Sequence, residues 1–326
     1  MKPLRSPSQK QQLDHFMTSL PLMKIGTRAS PLARAQTFEA IRLLSMAFPE
    51  LAEDGAIETV VLSTTGDQVQ DRLLAELGGK GLFSKELDRA MIDGDIDVAV
   101  HSLKDLETTF PVGIVLAAVM EREDVRDVLI SATGKTLKYL PKGAVIGTAS
   151  LRRRSQLMAM RPDFDCVLIR GNVQTRLKKL AAGDVDATLL ALAGLNRLGM
   201  ADKATEILPT DVLLPAVAQG AIGITCRQGD LPIQDYVAVL NHKQTGVCVA
   251  AERAMLKALD GSCRTPIGGL ATLNDDGVLN LTGRIGHPDG TGLVECQQSG
   301  GWQDGLALGR QVGAELRSLA DPKLFQ

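Results

Sequence analysis

Cysteine is scarce and unpatterned in this chain. The five are Cys166, Cys226, Cys248, Cys263 and Cys296, an odd number with no C-x-x-C pair. That excludes a disulfide framework and fits a reducing cytoplasm. Histidine is as sparse, and none of His15, His101, His242 and His287 stands at ligand spacing from another or from a cysteine, which argues against a zinc site. Aromatic residues make up 3%, too few for a base-stacking platform, and the formal net charge of -2 lacks the excess of lysine and arginine usual in duplex binders; both argue against nucleic acid as a ligand. No apolar run reaches the roughly 18 residues of a membrane span. A G-x-x-x-x-G-K-[ST] phosphate loop and a G-x-S-x-G elbow are also missing, so the common nucleotide and hydrolase readings lose their support.

What remains is a soluble globular chain. Its 326 residues exceed one small core and fit two or three domains. Residues 1–22 are polar, broken by Pro3, Pro7 and Pro21, and read as a disordered extension; periodic structure begins at Met23. From there short β-branched runs alternate with helical stretches, the pattern of parallel α/β sheets. Strands are expected at Lys24–Thr27, Ile57–Leu62 and Ile96–Val100, with helices from Pro31 to about Phe48 and from about Phe83 to Ile92. Beyond a crossing point at Glu121–Asp124 a second set follows, with strands at Val128–Ser131, Ala144–Gly147, Cys166–Ile169 and Ala187–Leu190. It ends near Leu214-Pro215-Ala216. A last region from Asn241 offers a helix at Cys248–Leu259, strands near Leu270 and at Leu279–Arg284, and a helix from Gln303 to Leu319. The fold class is α/β, two similar lobes plus a small α+β C-terminal domain.

Charge is concentrated in one place. Between Ser150 and Leu180, Arg152, Arg153, Arg154, Arg161, Arg170, Arg176, Lys178 and Lys179 face only Asp163 and Asp165, eight positive less two negative, or +6. The arginines fall in two loop-like phrases, T-A-S-L-R-R-R and R-G-N-V-Q-T-R, each after an apolar strand-like run. Guanidinium forks beside hydroxyls and backbone N–H groups suit several carboxylates or phosphates. A solvated basic face is the plain alternative. Placement at strand ends favours a site.

Two more positions could carry chemistry. Asp105, in H-S-L-K-D after the strand ending at Val100, can exchange protons or stabilise a developing cation, or can merely cap a turn and pair with Lys104. Cys263 lies in D-G-S-C-R-T-P-I-G-G beyond a helix terminated by Asp260-Gly261; Arg264 would favour its thiolate, although loop cysteines are often inert. The Gly78–Gly81 segment, with Lys80, is either a mobile lid or a plain connection. Cys166 and Cys226 fit core positions.

With H-S-L-K-D, T-A-S-L-R-R-R, R-G-N-V-Q-T-R, L-P-A-V-A-Q-G-A-I-G and A-E-R-A-M-L-K-A-L-D-G-S-C in this order, the chain resembles the porphobilinogen deaminase (hydroxymethylbilane synthase) family over about residues 23 to 320. The resemblance implies two periplasmic-binding-protein-like lobes around a cleft. Domain 1 would be 23–120 plus 221–240, domain 2 125–215, and domain 3 241–326. It implies that Cys263 holds a dipyrromethane cofactor by a thioether, that four porphobilinogen units are added with loss of four ammonia, and that water releases the linear tetrapyrrole. Asp105 matches the family's essential aspartate. Arg28, Ser30, Ser102, Lys104, Ser150, Arg152, Arg153, Arg170 and Arg176 match positions that bind carboxylates of cofactor or substrate, Arg197 is a further expected contact, and Lys80 and Phe83 belong to a mobile segment near the cleft. The partners implied are porphobilinogen and the growing oligopyrrole, met by a cytoplasmic monomer without membrane or nucleic acid. Three positions depart from the family pattern: Ser262 replaces a common glycine, Glu76 stands where some relatives have lysine, and Leu106-Glu107 stands where Val-Pro is frequent.

A non-catalytic two-lobed binder of polycarboxylates would also explain lobes and arginines. It leaves Cys263 unexplained, and a periplasmic carrier calls for an export signal that residues 1–22 do not provide. An effector-binding regulator would have a helix-turn-helix ahead of the lobes, and none is readable.

Overall fold

The computed structural model describes residues 21–68, 81–261 and 265–325. Along the chain come β1 (Met23–Arg28), α1 (Pro31–Ala47), β2 (Ile57–Leu62), a helical turn at Thr65–Gln68, α2 (Lys85–Asp93), β3 (Val98–Ser102) and β4 (Ile114–Val119). β5 (Asp127–Ser131), β6 (Val145–Gly147), α3 (Leu151–Met160), β7 (Asp165–Val167), α4 (Val173–Ala181), β8 (Ala187–Ala191), α5 (Leu192–Arg197) and β9 (Glu206–Leu208) follow. The chain continues through β10 (Ile222–Arg227), α6 (Leu231–Ala238), α7 (Lys243–Ala258), β11 (Ile267–Leu273), β12 (Val278–Ile285), β13 (Val294–Gly301) and α8 (Gly305–Leu319).

Two five-stranded sheets form the lobes, in the orders β2-β1-β3-β10-β4 and β7-β6-β8-β5-β9. Each has three parallel strands and then an antiparallel one: β10 runs against β3, and β5 against β8. That antiparallel strand reaches each lobe directly from the other, β5 after β4 and β10 after β9. The chain therefore crosses twice between lobes, through residues 120–126 and 209–221. This is the expected α/β fold of two similar lobes; β11, β12 and β13 pair antiparallel in a small α+β domain at the C-terminus.

Side-chain alternation explains the layers. In β5, Val128 and Ile130 enter one apolar cluster and Leu129 another, so both faces of the sheet are covered. In β12 only one face is buried, through Leu279, Leu281 and Ile285, and it packs on α7 and α8. Gly220, at φ +88°, pins the two crossings together, because a Cβ there would run into the Glu123 carbonyl oxygen.

Several sequence expectations shift. β3 starts and ends two residues later than expected: Ile96 is buried but lies before the strand, Asp97 accepts from the Lys24 N–H (2.9 Å), and β10 pairs with residues 98–102. Helix α7 starts at Lys243, five residues before Cys248, capped by His242, whose Nδ1 accepts from the Thr245 N–H. The strand pattern around Cys226 is β10, whereas β4, β9 and β13 were not expected as strands; β13 reads V-E-C-Q-Q-S-G-G and owes its conformation to pairing with β12. Residues 1–20 of the expected extension lie outside the described residues, and the Leu22 N–H already donates to Ala56.

Candidate active site

Three helix N-termini meet at one cavity of about 520 Å³ between the lobes. Ser30 caps α1, its Oγ accepting from the Ala33 N–H (3.2 Å); Ser150 caps α3, accepting from Arg153 (3.4 Å); Asn172 caps α4, accepting from Thr175 (2.9 Å). Each follows a strand end, so the polar loops lie at the carboxyl edges of the sheets. The exposed N–H groups and dipoles make this an anion site before any side chain is counted. Arg28, Lys104, Arg152, Arg153, Arg170 and Arg176 line the same cavity, with Asp105 the acidic side chain among the lining residues.

The arginines of lobe 2 are not loose. Arg152 and Arg153 are buried and share the carboxylate of Asp127, at 2.8 Å from Arg152 Nη1 and 2.7 Å from Arg153 Nη2. Arg152 also donates to the Leu214 carbonyl (2.7 Å) and Arg153 to that of Leu189 (2.9 Å). Burial alone would raise the Asp127 carboxyl, but the two guanidiniums overcome it and hold it well below the usual range. Gln219, fully buried, donates to Asp127 (3.0 Å) and to the Val125 carbonyl (2.7 Å) while its Oε1 accepts from Lys104 Nζ (3.3 Å). Sequence reasoning missed Asp127 and Gln219. A lone carboxylate opening the apolar run Val128–Ile130 was the available signal for the first; nothing local marks the second.

On the lobe 1 wall, Asp105 closes a 3₁₀ turn, Leu103–Asp105, just after β3. Among the described residues no hydrogen bond or ion pair closes on its carboxylate. Burial lowers Lys104 to about 8, with Asp105 opposing the shift, and lowers Arg176 to about 10, with Arg153 and Arg170 adding to it. Phe83 lies under the Arg28 guanidinium, 4.3 Å from its ring centroid. Ser102 exchanges hydrogen bonds with Gln36 and lines a smaller neighbouring pocket with Arg28, Ser30 and Asp105.

Arg197 is elsewhere. It pairs with Glu39 of α1 (3.1 Å) and donates to the Gly220 carbonyl (3.1 Å), joining lobe 2 to lobe 1 outside the lining of the cavity. Cys263 and Lys80 lie outside the described residues, as do Ser262, Arg264 and Glu76. The residues flanking the cysteine do reach the site: Leu256, Thr265 and Ile267 all line the cavity.

Two family models together match most of the chain. Residues 23–235 match the porphobilinogen deaminase dipyromethane cofactor binding domain, and 247–318 match the porphobilinogen deaminase C-terminal domain. The chain belongs to the porphobilinogen deaminase family. It is 50% identical over 306 residues to a chloroplastic porphobilinogen deaminase of Oryza sativa subsp. japonica, covering 93% of this chain and 86% of that one. It is also 50% identical over 304 residues to porphobilinogen deaminase of Nitrobacter winogradskyi, covering 93% and 95%. Among solved structures, the periplasmic VFT2 domain of Bordetella pertussis BvgS aligns at TM-score 0.39 and 15% identity, over 78% of this chain and 99% of that one, a likeness too weak to carry an argument. The family's cofactor domain thus spans both lobes and the cavity between them.

Proposed function

We propose that the chain condenses four porphobilinogen molecules in turn onto a dipyrromethane bound through Cys263, with loss of four ammonia, and that one water then releases hydroxymethylbilane by hydrolysis. The observation that carries this reading is one carboxylate, Asp105, facing a ring of cations and helix N-termini in a single cavity. Each pyrrole brings one acetate and one propionate, whose burial without partners is prohibitive. The residues present fit such a group: Arg152 Nε is buried with no hydrogen-bond partner among the described residues, a donor awaiting an acceptor. Ser30, Ser102, Lys104, Ser150, Arg28, Arg152, Arg153, Arg170 and Arg176 would hold the carboxylates. When bound, the dipyrromethane supplies the nucleophilic pyrrole carbon from which the chain grows.

Asp105 performs the acid–base and electrostatic work. Loss of ammonia leaves porphobilinogen's methylene carbon electron-poor, and an ionised carboxylate beside it stabilises that cation and then accepts the proton released from the attacking pyrrole. Phe83, against Arg28, shields this wall from water. Arg197 acts as a tie between lobes in the arrangement described, not as a ligand of the bound chain. The same reading places the chain in the cytoplasm as a monomer; among the described residues no helix is long and apolar enough to cross a membrane.

The test is the intact mass of denatured wild type beside Cys263→Ser, each before and after incubation with porphobilinogen. A wild-type excess of one dipyrromethane, absent from the variant, is expected. Unmodified wild type that also forms no adduct with porphobilinogen would move the chain to the class of polycarboxylate-binding proteins.

A further inference from the structure

The turn that carries Asp105 belongs to lobe 1 by sequence and to the C-terminal domain by packing. Leu103 and Leu106, on either side of Lys104-Asp105, are buried in the same apolar cluster as Val249, Ala251, Met255, Ile267 and Leu281. From α7, Arg253 reaches across and donates Nη1 to the Leu106 carbonyl (3.2 Å) and Nη2 to the Glu107 carbonyl (2.6 Å), the carbonyls of the two residues that follow Asp105. Its guanidinium lies 5.4 Å from the Phe110 ring centroid. Among the described residues no carboxylate comes within ion-pair distance of Arg253. Burial holds it down to about 10, opposed by Glu107, so it is charged at neutral pH.

A buried cation satisfied by two carbonyl oxygens is a poor stabiliser of a fold compared with an apolar residue of similar volume. It is a good clamp, since a planar fork fixes two peptide planes at once. The neighbouring Glu252 faces another way: fully buried, it accepts from Arg122 of the first crossing and from the Ala218 N–H of the second. One helix, the one that leads to the Cys263 loop, thus grips both the crossings and the turn of Asp105.

We infer that Arg253 is a positioning residue for the condensation, holding the Asp105 turn in register with the domain that bears the cofactor cysteine. The inference rests on the reading of Asp105 given above. It assigns the C-terminal domain a second task beyond cofactor attachment, namely setting where the lobe 1 carboxylate stands.

The experiment uses cofactor-loaded enzyme in four forms: wild type, Arg253→Gln, Asp105→Glu and the double variant, with Arg253→Lys as the fallback if the glutamine variant does not fold. Intact mass checks loading and thermal melting checks folding. Arg253→Gln is expected to load normally and to lose about 10- to 100-fold in kcat with KM within about twofold, the cost of a small misplacement of a reacting group. In the Asp105→Glu background, where the carboxylate is already displaced, the same substitution should cost under about threefold, because coupled positions are not additive. Equal losses in both backgrounds, or an unchanged kcat in Arg253→Gln, would overturn the inference. An Asp105→Asn control separates the two readings: wild-type turnover there removes the role of Asp105 and this inference together, whereas an inactive Asp105→Asn beside an unaffected Arg253→Gln removes only the latter.

Discussion

The two lobes share a strand order and line the cavity between them with different side chains. In lobe 2 the cavity wall is cationic and already organised, since Arg152 and Arg153 are held on Asp127 and on the Leu214 and Leu189 carbonyls. In lobe 1 the corresponding wall ends in a carboxylate, Asp105, which no described residue engages, and its order comes from elsewhere, from the C-terminal domain through Leu103, Leu106 and Arg253. Like topology places loops at like edges. What those loops do depends on which buried partner fixes them: a counter-ion within the lobe on one side, a neighbouring domain on the other.

The largest expected effect falls on the lobe 1 carboxylate. Asp105→Ala should retain the covalent adduct by intact mass and lose at least about 10²- to 10³-fold in kcat, the scale seen when one preorganised electrostatic group is removed from a transition state. Turnover at the wild-type rate in that variant would refute the division just drawn. On the lobe 2 side, Asp127→Asn leaves two buried guanidiniums short of their charge partner and should cost about 3–5 kcal/mol of stability, read by denaturant unfolding. The pH dependence has a definite sign. A carboxyl whose folded pKa is depressed contributes stability that is present above its ordinary value of 3.8 and is lost as pH falls towards the lower folded value, so wild type should lose stability in acid more steeply than Asp127→Asn.

Lys104 sits at the junction of the two walls, beside Asp105 and bonded to Gln219. With its pKa down at about 8, its charge disappears within the assay range. Substrate binding should weaken as pH rises through about 8, and Lys104→Arg, which stays charged, should remove that alkaline rise in KM. Stability goes the other way: between about 8 and the ordinary 10.5 the unfolded chain binds the extra proton, so this group favours the fold increasingly as pH rises.

Much of this was legible in the sequence, for identifiable reasons. The β-branched run at Ile57–Leu62 and the Pro31 start of α1 are local signals, and the structure has β2 and the start of α1 at those residues. The cation cluster was readable as charge, and the cavity does collect Arg152, Arg153, Arg170 and Arg176. What could not be read is anything set by sequence-distant partners. Asp127 meets Arg153 across 26 residues, Gln219 meets Asp127 across 92, and Arg253 meets Leu106 across 147. β13 is a strand only because β12 lies beside it. Arg197 shows the same limit: nothing in its phrase marks the ion pair it makes with Glu39, 158 residues away.

That last pair gives the smallest and most specific test of the comparison. Glu39 and Arg197 join the two lobes directly, but the glutamate is 35% exposed, so water and salt screen the attraction. Glu39→Gln should therefore cost no more than about 1 kcal/mol in unfolding. Its signature should be a weaker dependence of turnover on ionic strength than in wild type, because screening would no longer loosen a tie already cut. If the salt dependence is unchanged, the lobes are held by their crossings alone, with Gly220 and Glu252 sufficient. If it flattens, the cleft has an electrostatic closure of its own, separate from the cations that face the bound chain.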